Sequence, residues 1–147
     1  MGKDSGGAPG GSTITTVEPS RNAPSSAPTA GRVTAYHYVP GLRWPVSPRF
    51  VERVERLFAV NERVVIELAT AWGPMAVVMV AATGVGNVWL AHAGHDTRAW
   101  RRRGDFHSER VDAALASGAE LGAFLLGSTV VMVLPPGAPP LSLPMPG

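Results

Sequence analysis

The stretch of sequence that decides the fold covers residues 123–134 and reads Ala123-Phe124-Leu125-Leu126-Gly127-Ser128-Thr129-Val130-Val131-Met132-Val133-Leu134. Its two apolar halves meet at a Gly-Ser pair, and the second half is rich in β-branched valines. Short apolar runs bounded by turn residues are typical of buried strands. We therefore predict a strand-like segment before the Gly-Ser pair and a strand over Thr129–Leu134 after it.

Further strand-like segments precede this stretch. They are residues 31–41, where apolar and polar residues alternate, and three runs rich in aliphatic or β-branched residues, 64–68, 75–80 and 85–90. Trp72-Gly73-Pro74 has the composition of a turn, and Ser117–Gly122 has that of a hairpin connection. Several short strands separated by glycine-containing turns favour a small barrel or sandwich.

One short helix is predicted before these strands. Pro48 suits a first helical turn, and the residues that follow it at helical spacing are Phe50, Val51, Val54, Leu57 and Phe58. Residues 91–110 are polar and predicted to be loop-like. The expected fold class is mainly β, with a small barrel- or sandwich-like core of short strands and one short helix.

The 147 residues are enough for one domain. Residues 1–30 are dominated by Gly, Ser, Pro, Thr and Ala and contain no aromatic residue. Such a segment buries too little apolar surface to offset the entropy lost on ordering. We expect a disordered arm over residues 1–30, a folded domain over 31–137 and a Pro-rich, irregular tail over 138–147.

Composition limits the chemistry and the partners. The chain has no cysteine, which excludes disulfides, thiolate catalysis and Cys-based metal sites. A formal net charge of +2 is too weak to indicate nucleic acid. The arginines at positions 98, 101, 102 and 103 either face anionic phosphates and lipid headgroups or form a solvated loop. No secretory signal is visible, and no apolar run reaches the roughly 20 residues of a membrane span.

Gly127-Ser128-Thr129 is weak evidence by itself, because the same tripeptide occurs at Gly11-Ser12-Thr13. Its surroundings are more specific, since Leu126–Val131 resembles the Leu-Gly-Ser-Thr processing site of bacterial phosphatidylserine decarboxylases. Other blocks that resemble this family follow in the family's order, namely Tyr38–Gly41, Leu57–Val64, Gly73–Met75, Val80–Gly86 and Gly118–Phe124. The resemblance covers residues 31–137, with Ala81 standing where the family usually has glycine.

The resemblance implies a decarboxylase that makes its own cofactor. The Ser128 hydroxyl would attack the carbonyl of Gly127, and the chain would be cleaved between them, leaving a covalent pyruvoyl group at residue 128. That ketone would engage the amine of phosphatidylserine and accept the electrons released with carbon dioxide, giving phosphatidylethanolamine. Glycine at position 127 suits this step, because a residue without Cβ allows strained backbone and close approach.

The base that should activate the serine is not found. Serine is a poor nucleophile unless a base takes its proton. The resemblance implies an aspartate and a histidine upstream of Tyr38–Gly41, whereas residues 1–30 contain one aspartate, Asp4, and no histidine. His37 directly precedes that block, so its position does not correspond. The remaining histidines, His92, His95 and His107, lie in the divergent stretch between blocks.

Alternatives stay open for several polar residues. For all four histidines a surface or hydrogen-bonded structural role is preferred, and the spacing of His92, His95 and Asp96 is too unspecific to predict a metal site. Asn61-Glu62-Arg63 is interpreted as a structural polar cluster, with substrate positioning as the alternative.

The resemblance also implies where the protein acts. Its expected partners are phosphatidylserine, an anionic membrane surface and, as a possibility, a second copy of the chain. The expected location is the cytoplasmic face of the cell membrane, bound peripherally. The alternative hypothesis is a truncated, non-processing relative that acts as a non-catalytic β module.

Overall fold

The computed structural model describes residues 13–17, 24–83, 87–124 and 129–139. In chain order the elements are β1 (Thr13–Val17), β2 (Pro24–Ser26), β3 (Gly31–Val39), α1 (Pro48–Arg53), α2 (Leu57–Val60), β4 (Arg63–Thr70), β5 (Gly73–Val80), β6 (Val88–Leu90), β7 (His95–Asp96), α3 (Arg98–Arg103), β8 (His107–Leu115), β9 (Glu120–Phe124) and β10 (Thr129–Leu134). Sheet A has the order β1-β10-β5-β4-β3-β8, and sheet B has the order β2-β9-β6-β7. All neighbouring strands are antiparallel, which confirms the prediction of a mainly β fold.

The core lies between the two sheets. Alternation along β4 buries Val64, Ile66 and Leu68 and leaves Glu67 and Ala69 exposed. Sheet B supplies the same hydrophobic cluster with Val88, Leu90, Leu121 and Phe124. Burying a large aliphatic or aromatic side chain stabilises a fold by roughly 1.5–3 kcal/mol. These inward-facing residues therefore hold the sheets together and fix their register, because a slip by one residue would turn them to solvent.

The helix predicted from Phe50 to Phe58 is two short helices. α1 ends at Arg53, and α2 begins at Leu57. Arg56, between them, has a φ of 54°, in the left-handed region that a right-handed helix cannot include. Apolar spacing alone predicted a single helix. The change of backbone conformation at Arg56 instead divides this segment into two.

Residues 91–110 were predicted to be loop-like, but they contain regular secondary structure. β7, α3 and the first residues of β8 fall within them. Trp100 of α3 is 5% exposed, and its ring lies 6.1 Å from that of Tyr38, so one buried tryptophan anchors an otherwise charged helix. Among the helices that the structure describes, none has the length and apolar character needed to cross a bilayer.

Two strands fall within residues 1–30, the segment for which a disordered arm is predicted. β1 pairs with β10 from Thr13↔Leu134 to Val17↔Val130, and β2 pairs with β9. Composition did not predict them, because a short strand that adds to the edge of a formed sheet is held largely by backbone hydrogen bonds. Residues 1–12, 18–23 and 140–147 lie outside the described part of the chain.

Gly41 allows the segment after β3 to pass against the end of α2. The Leu42 N–H donates to the Val60 carbonyl at 2.9 Å, and the Glu62 N–H donates to the Leu42 carbonyl at 2.7 Å. A Cβ on Gly41 would lie 2.5 Å from the Val60 oxygen and 2.7 Å from the Glu62 nitrogen. Only glycine permits this approach, which explains the glycine of the Tyr38–Gly41 block.

We expect Gly41→Ala to lower the free energy of unfolding by about 3 kcal/mol, because the new methyl group collides with backbone that cannot move aside. Gly104→Ala is the matched control. Gly104 has a φ of 72° and no atom within 4 Å of a built Cβ, so its substitution should cost only about 1 kcal/mol of left-handed strain. Urea unfolding of both variants measures the difference, and equal losses would contradict this account.

Candidate functional site

The predicted cleavage site, Gly127-Ser128, lies outside the described residues, so strand ends on either side define its surroundings. β9 ends at Phe124, which pairs with Val88 in sheet B. β10 begins at Thr129, which pairs with Val80 in sheet A. The candidate site is therefore the connection from β9 to β10, which joins the two sheets.

Thr129 is the first described residue after the predicted cleavage site. Its side chain is buried, with 1% exposed, and no described group hydrogen-bonds to its Oγ1. A buried hydroxyl left without a partner costs about 1–3 kcal/mol, so such groups normally have one. In the sequence it directly follows the connection 125–128, which lies outside the described residues. Thr129 is therefore a candidate for positioning that connection.

Asn61 holds the end of β5 beside the site. It is fully buried, and its Oδ1 accepts a hydrogen bond from the Trp44 N–H at 2.9 Å. Its Nδ2 donates to the carbonyls of Trp44 at 2.9 Å and Ala81 at 3.1 Å. Ala81 directly follows Val80, the partner of Thr129. Because these bonds join two backbone segments, Asn61 has a structural role at the edge of the site.

Glu62 forms an ion pair at the same strand end. It is 5% exposed, and one of its oxygens accepts hydrogen bonds from Arg43 Nε at 2.9 Å and Nη2 at 2.7 Å. Burial, reinforced by the Glu62 carboxylate, raises the pKa of Tyr38 to about 12. Tyr38 is therefore a neutral phenol at physiological pH and is unsuited to accept a proton from serine.

Arg63 completes this triplet of polar residues. Its Nη1 donates to the backbone carbonyls of Ala59 at 2.6 Å and Asn61 at 3.0 Å, and burial lowers its pKa. All three residues of Asn61-Glu62-Arg63 thus bind backbone or pair with another side chain. These contacts agree with the preferred prediction of a structural polar cluster.

His37 lies on the outer face of sheet A, between its buried neighbours in β3. Its Nδ1 contacts the Ser108 hydroxyl, and its Nε2 lies 3.0 Å from a carboxylate oxygen of Glu67. Its ring also stacks on Phe106, with the ring centroids 6.2 Å apart. His37 therefore has the hydrogen-bonded structural surroundings that the sequence analysis preferred for it.

His95 belongs to a cluster of rings around Trp100. Its Nε2 lies 2.9 Å from the Glu109 carboxylate, and its Nδ1 lies 3.0 Å from the Asp96 carbonyl. Trp100 packs edge-on against His95 and also contacts His107. Burial lowers the pKa of His95, but the hydrogen bonds and charges of Asp96 and Glu109 outweigh it, so the net shift is upward. The protonated ring is thus favoured in the folded state.

His92 and Asp96 have other surroundings. The backbone N–H of His92 donates to the Tyr36 hydroxyl at 3.3 Å. The Asp96 carboxylate accepts the backbone N–H of Arg98 at 2.9 Å and lies 3.5 Å from its guanidinium. In the part of the chain that the structure describes, no group of three or more His, Asp or Glu side chains could hold a metal ion.

Three residues whose side chains are buried or paired in the structure had no individual role predicted from the sequence. Tyr38 lies in the alternating pattern of β3, and this pattern could have predicted that its side chain is buried. Nothing in the sequence predicted its hydrogen bond with Glu62. Thr129 directly follows Ser128, and this position alone could have identified it as a candidate site residue. Glu109 had no signal, because its contact with His95 depends on how β7 packs over sheet A.

The sequence is similar to that of known proteins over most of its length. Residues 25–143 match the family model described as phosphatidylserine decarboxylase. Relatives named phosphatidylserine decarboxylase proenzyme are 43% identical over 116 residues in Anaeromyxobacter sp. (strain K) and 43% identical over 114 residues in Acidovorax ebreus. These matches cover 75% and 76% of this chain and 40% of each relative. The chain thus spans about two fifths of the length of the curated relatives that it matches.

We expect His95 to make stability depend on pH. Because its folded-state pKa lies above the unfolded value of about 6.5, its stabilising contribution is complete below about pH 6.5 and is lost as the pH rises through the folded pKa. The difference in unfolding free energy between the parent chain and His95→Gln should therefore be largest near pH 6 and shrink toward pH 8.5. In a Glu109→Gln background the difference should vary less with pH. A difference that grows with pH would contradict the assignment.

Proposed function

Because the chain belongs to the phosphatidylserine decarboxylase family, we propose that it carries the processing site of such an enzyme and cleaves itself between Gly127 and Ser128. The main support is the Leu-Gly-Ser-Thr sequence on a short connection between two anchored strands. The relatives are named proenzymes, a term for precursors activated by cleavage. The proposed reaction is decarboxylation of phosphatidylserine to phosphatidylethanolamine.

The proposed cleavage has balanced chemistry. The Ser128 hydroxyl attacks the Gly127 carbonyl, and transfer of the acyl group from nitrogen to oxygen converts the amide into an ester. Loss of the serine α-proton then expels residues 1–127 as a carboxylate and leaves a dehydroalanine. Addition of water and loss of ammonia convert that residue into a pyruvoyl group at the start of residues 128–147. No metal or external oxidant is needed.

The surroundings of residue 128 fit such a group. It directly precedes Thr129, whose buried hydroxyl has no hydrogen-bond partner among the described residues. A pyruvoyl ketone there would supply an electrophile for the substrate amine and an acceptor for the electrons released with carbon dioxide. Thr129 would orient residue 128 through its hydroxyl, and the apolar strand ends at Phe124 and Val80 would restrict water on the core side.

One observation favours a second candidate function, a non-catalytic β module. Among the described histidines, His37 and His95 have both ring nitrogens in contact with groups of their own sheets or loops. If no base reaches Ser128, the domain stays uncleaved and serves only in binding. A base supplied by a separate polypeptide is a further route, and co-expression with the amino-terminal half of a family relative tests it.

We expect Ser128→Ala to abolish cleavage, because the attacking hydroxyl is gone. The matched control is Ser12→Ala, which removes the serine from the second Gly-Ser-Thr tripeptide. On a denaturing gel the control should cleave like the parent chain, whereas Ser128→Ala should stay at 147 residues and form no phosphatidylethanolamine. A parent chain that remains whole in the presence of anionic vesicles would favour the module, and cleavage of Ser128→Ala would exclude the proposed site.

We expect Thr129→Val to slow cleavage by roughly tenfold, the effect of one lost hydrogen bond of about 1.4 kcal/mol. Valine keeps the shape and β-propensity of threonine, so the free energy of unfolding of uncleaved protein should fall by no more than about 1.5 kcal/mol. Thr129→Ser should restore the cleavage rate, because it restores the hydroxyl. Normal cleavage in Thr129→Val would show that this hydroxyl does not position the connection.

A further inference from the structure

Exposed apolar side chains concentrate at one end of the molecule. We define the processing end as the end of sheet A where β3 and β5 finish and where β4, β8 and β10 begin. In the described residues, the exposed large apolar side chains are Leu42, Trp44, Val51, Val60, Trp72, Trp89 and Phe106. Four of them lie between β3 and β4, and Phe106 directly precedes β8. Five of the seven therefore belong to segments that start or finish at the processing end.

Contacts make the first of these segments a continuous surface. The Leu42 N–H bonds to the Val60 carbonyl, so these two residues are neighbours. Trp44 is held through its backbone by Asn61, and its ring lies 6.0 Å from that of Phe50 in α1. Trp44 as a whole residue is 41% exposed, although its backbone is fixed. The surface is therefore preorganised rather than a loose loop.

Arginines surround this apolar surface. Residues 42–60 contain four arginines and two glutamates, and Arg49, Arg53 and Arg56 are exposed. Arg49, Phe50 and Arg53 line a hollow of about 180 Å³. A hollow flanked by two guanidinium groups suits a phosphate or carboxylate oxygen cluster.

Helix α3 adds positive charge at the same end. The ring of Trp100 in α3 lies 6.1 Å from that of Tyr38, which is next to the last residue of β3, so α3 packs beside the end of that strand. Residues 98–106 contain four arginines and one aspartate. Since the whole chain has a formal charge of only +2, the rest of the molecule is net negative. The positive charge is thus polarised toward the processing end.

We propose that the processing end is a membrane-contact face that lays Leu42, Trp44 and Val60 into the interface of an anionic phospholipid bilayer. This rests on the proposed function, because it would bring headgroups to the connection that contains residue 128. Tryptophan and aliphatic side chains favour the headgroup boundary. The exposed arginines Arg49, Arg53 and Arg56 bind the lipid phosphates, and Arg102 and Arg103 add to the same field.

Vesicle binding tests the proposal without relying on processing. The full chain carrying Ser128→Ala is sedimented with vesicles of phosphatidylglycerol and phosphatidylcholine in equal parts, and with phosphatidylcholine alone. We expect binding only to the anionic vesicles, weakened by salt. Trp44→Ser should lower the partition coefficient about tenfold, and replacing Arg49, Arg53 and Arg56 together by glutamine should lower it roughly a hundredfold.

Trp72→Ser is the matched control. Trp72 is 39% exposed, close to the 41% of Trp44, but it lies at the β4–β5 turn at the opposite end of sheet A. Its substitution should change binding by less than about twofold, since it does not face the bilayer. Equal losses for Trp44→Ser and Trp72→Ser would overturn the proposal, as would equal binding to both kinds of vesicle.

Sedimentation equilibrium without vesicles tests the other possible occupant of this face. If the Ser128→Ala chain is dimeric and Trp44→Ser makes it monomeric, the surface is covered by a second copy and the proposal fails. Because phosphatidylglycerol is not the proposed substrate and the chain tested cannot cleave, loss of membrane binding and loss of decarboxylation are observed separately.

Discussion

The structure depends on one constraint, a connection of four residues that must carry the chain from one sheet to the other. Strand pairing fixes both of its ends, at Phe124 beside Val88 and at Thr129 beside Val80. Each residue of an extended chain spans at most about 3.3–3.6 Å. The bond before Ser128 therefore cannot lie far from the strand ends at Phe124 and Thr129. The packing of the two sheets on one core thereby determines where the proposed chemistry takes place.

A second set of contacts holds the segment between β3 and β4 beside the end of β5, where β10 begins. Gly41 lets the segment after β3 approach the end of α2, and Asn61 ties that segment to the residue after β5. Asn61, which shapes the edge of the site, therefore also fixes the backbone of Trp44, an exposed residue. Reaction site and proposed lipid contact share one rigid support, which explains why polar residues are buried there in an otherwise apolar core.

The sequence predicted the β class and the strands β3, β4, β5, β6 and β10, because these depend on local alternation and on residues next to one another. The sequence did not predict the helices and strands whose formation depends on tertiary contacts. α3 was missed because only Trp100 among its residues is buried, and β1 was missed because its partner lies more than a hundred residues away in the chain. Pairs such as His95 with Glu109 could not be predicted, since they depend on the packing of a loop over a sheet. The cleavage residues themselves, Gly127-Ser128, lie outside the described part of the chain, so their role stays a prediction.

The central claim is that Ser128 itself is converted, and the small fragment reports this most directly. The purified chain is divided, one half is reduced with borohydride, and the masses of both small fragments are measured. We expect a fragment of residues 128–147 that has lost its amine and that gains the mass of one hydrogen molecule on reduction. A fragment that begins with an unmodified serine, or a chain that is never cleaved, would contradict it.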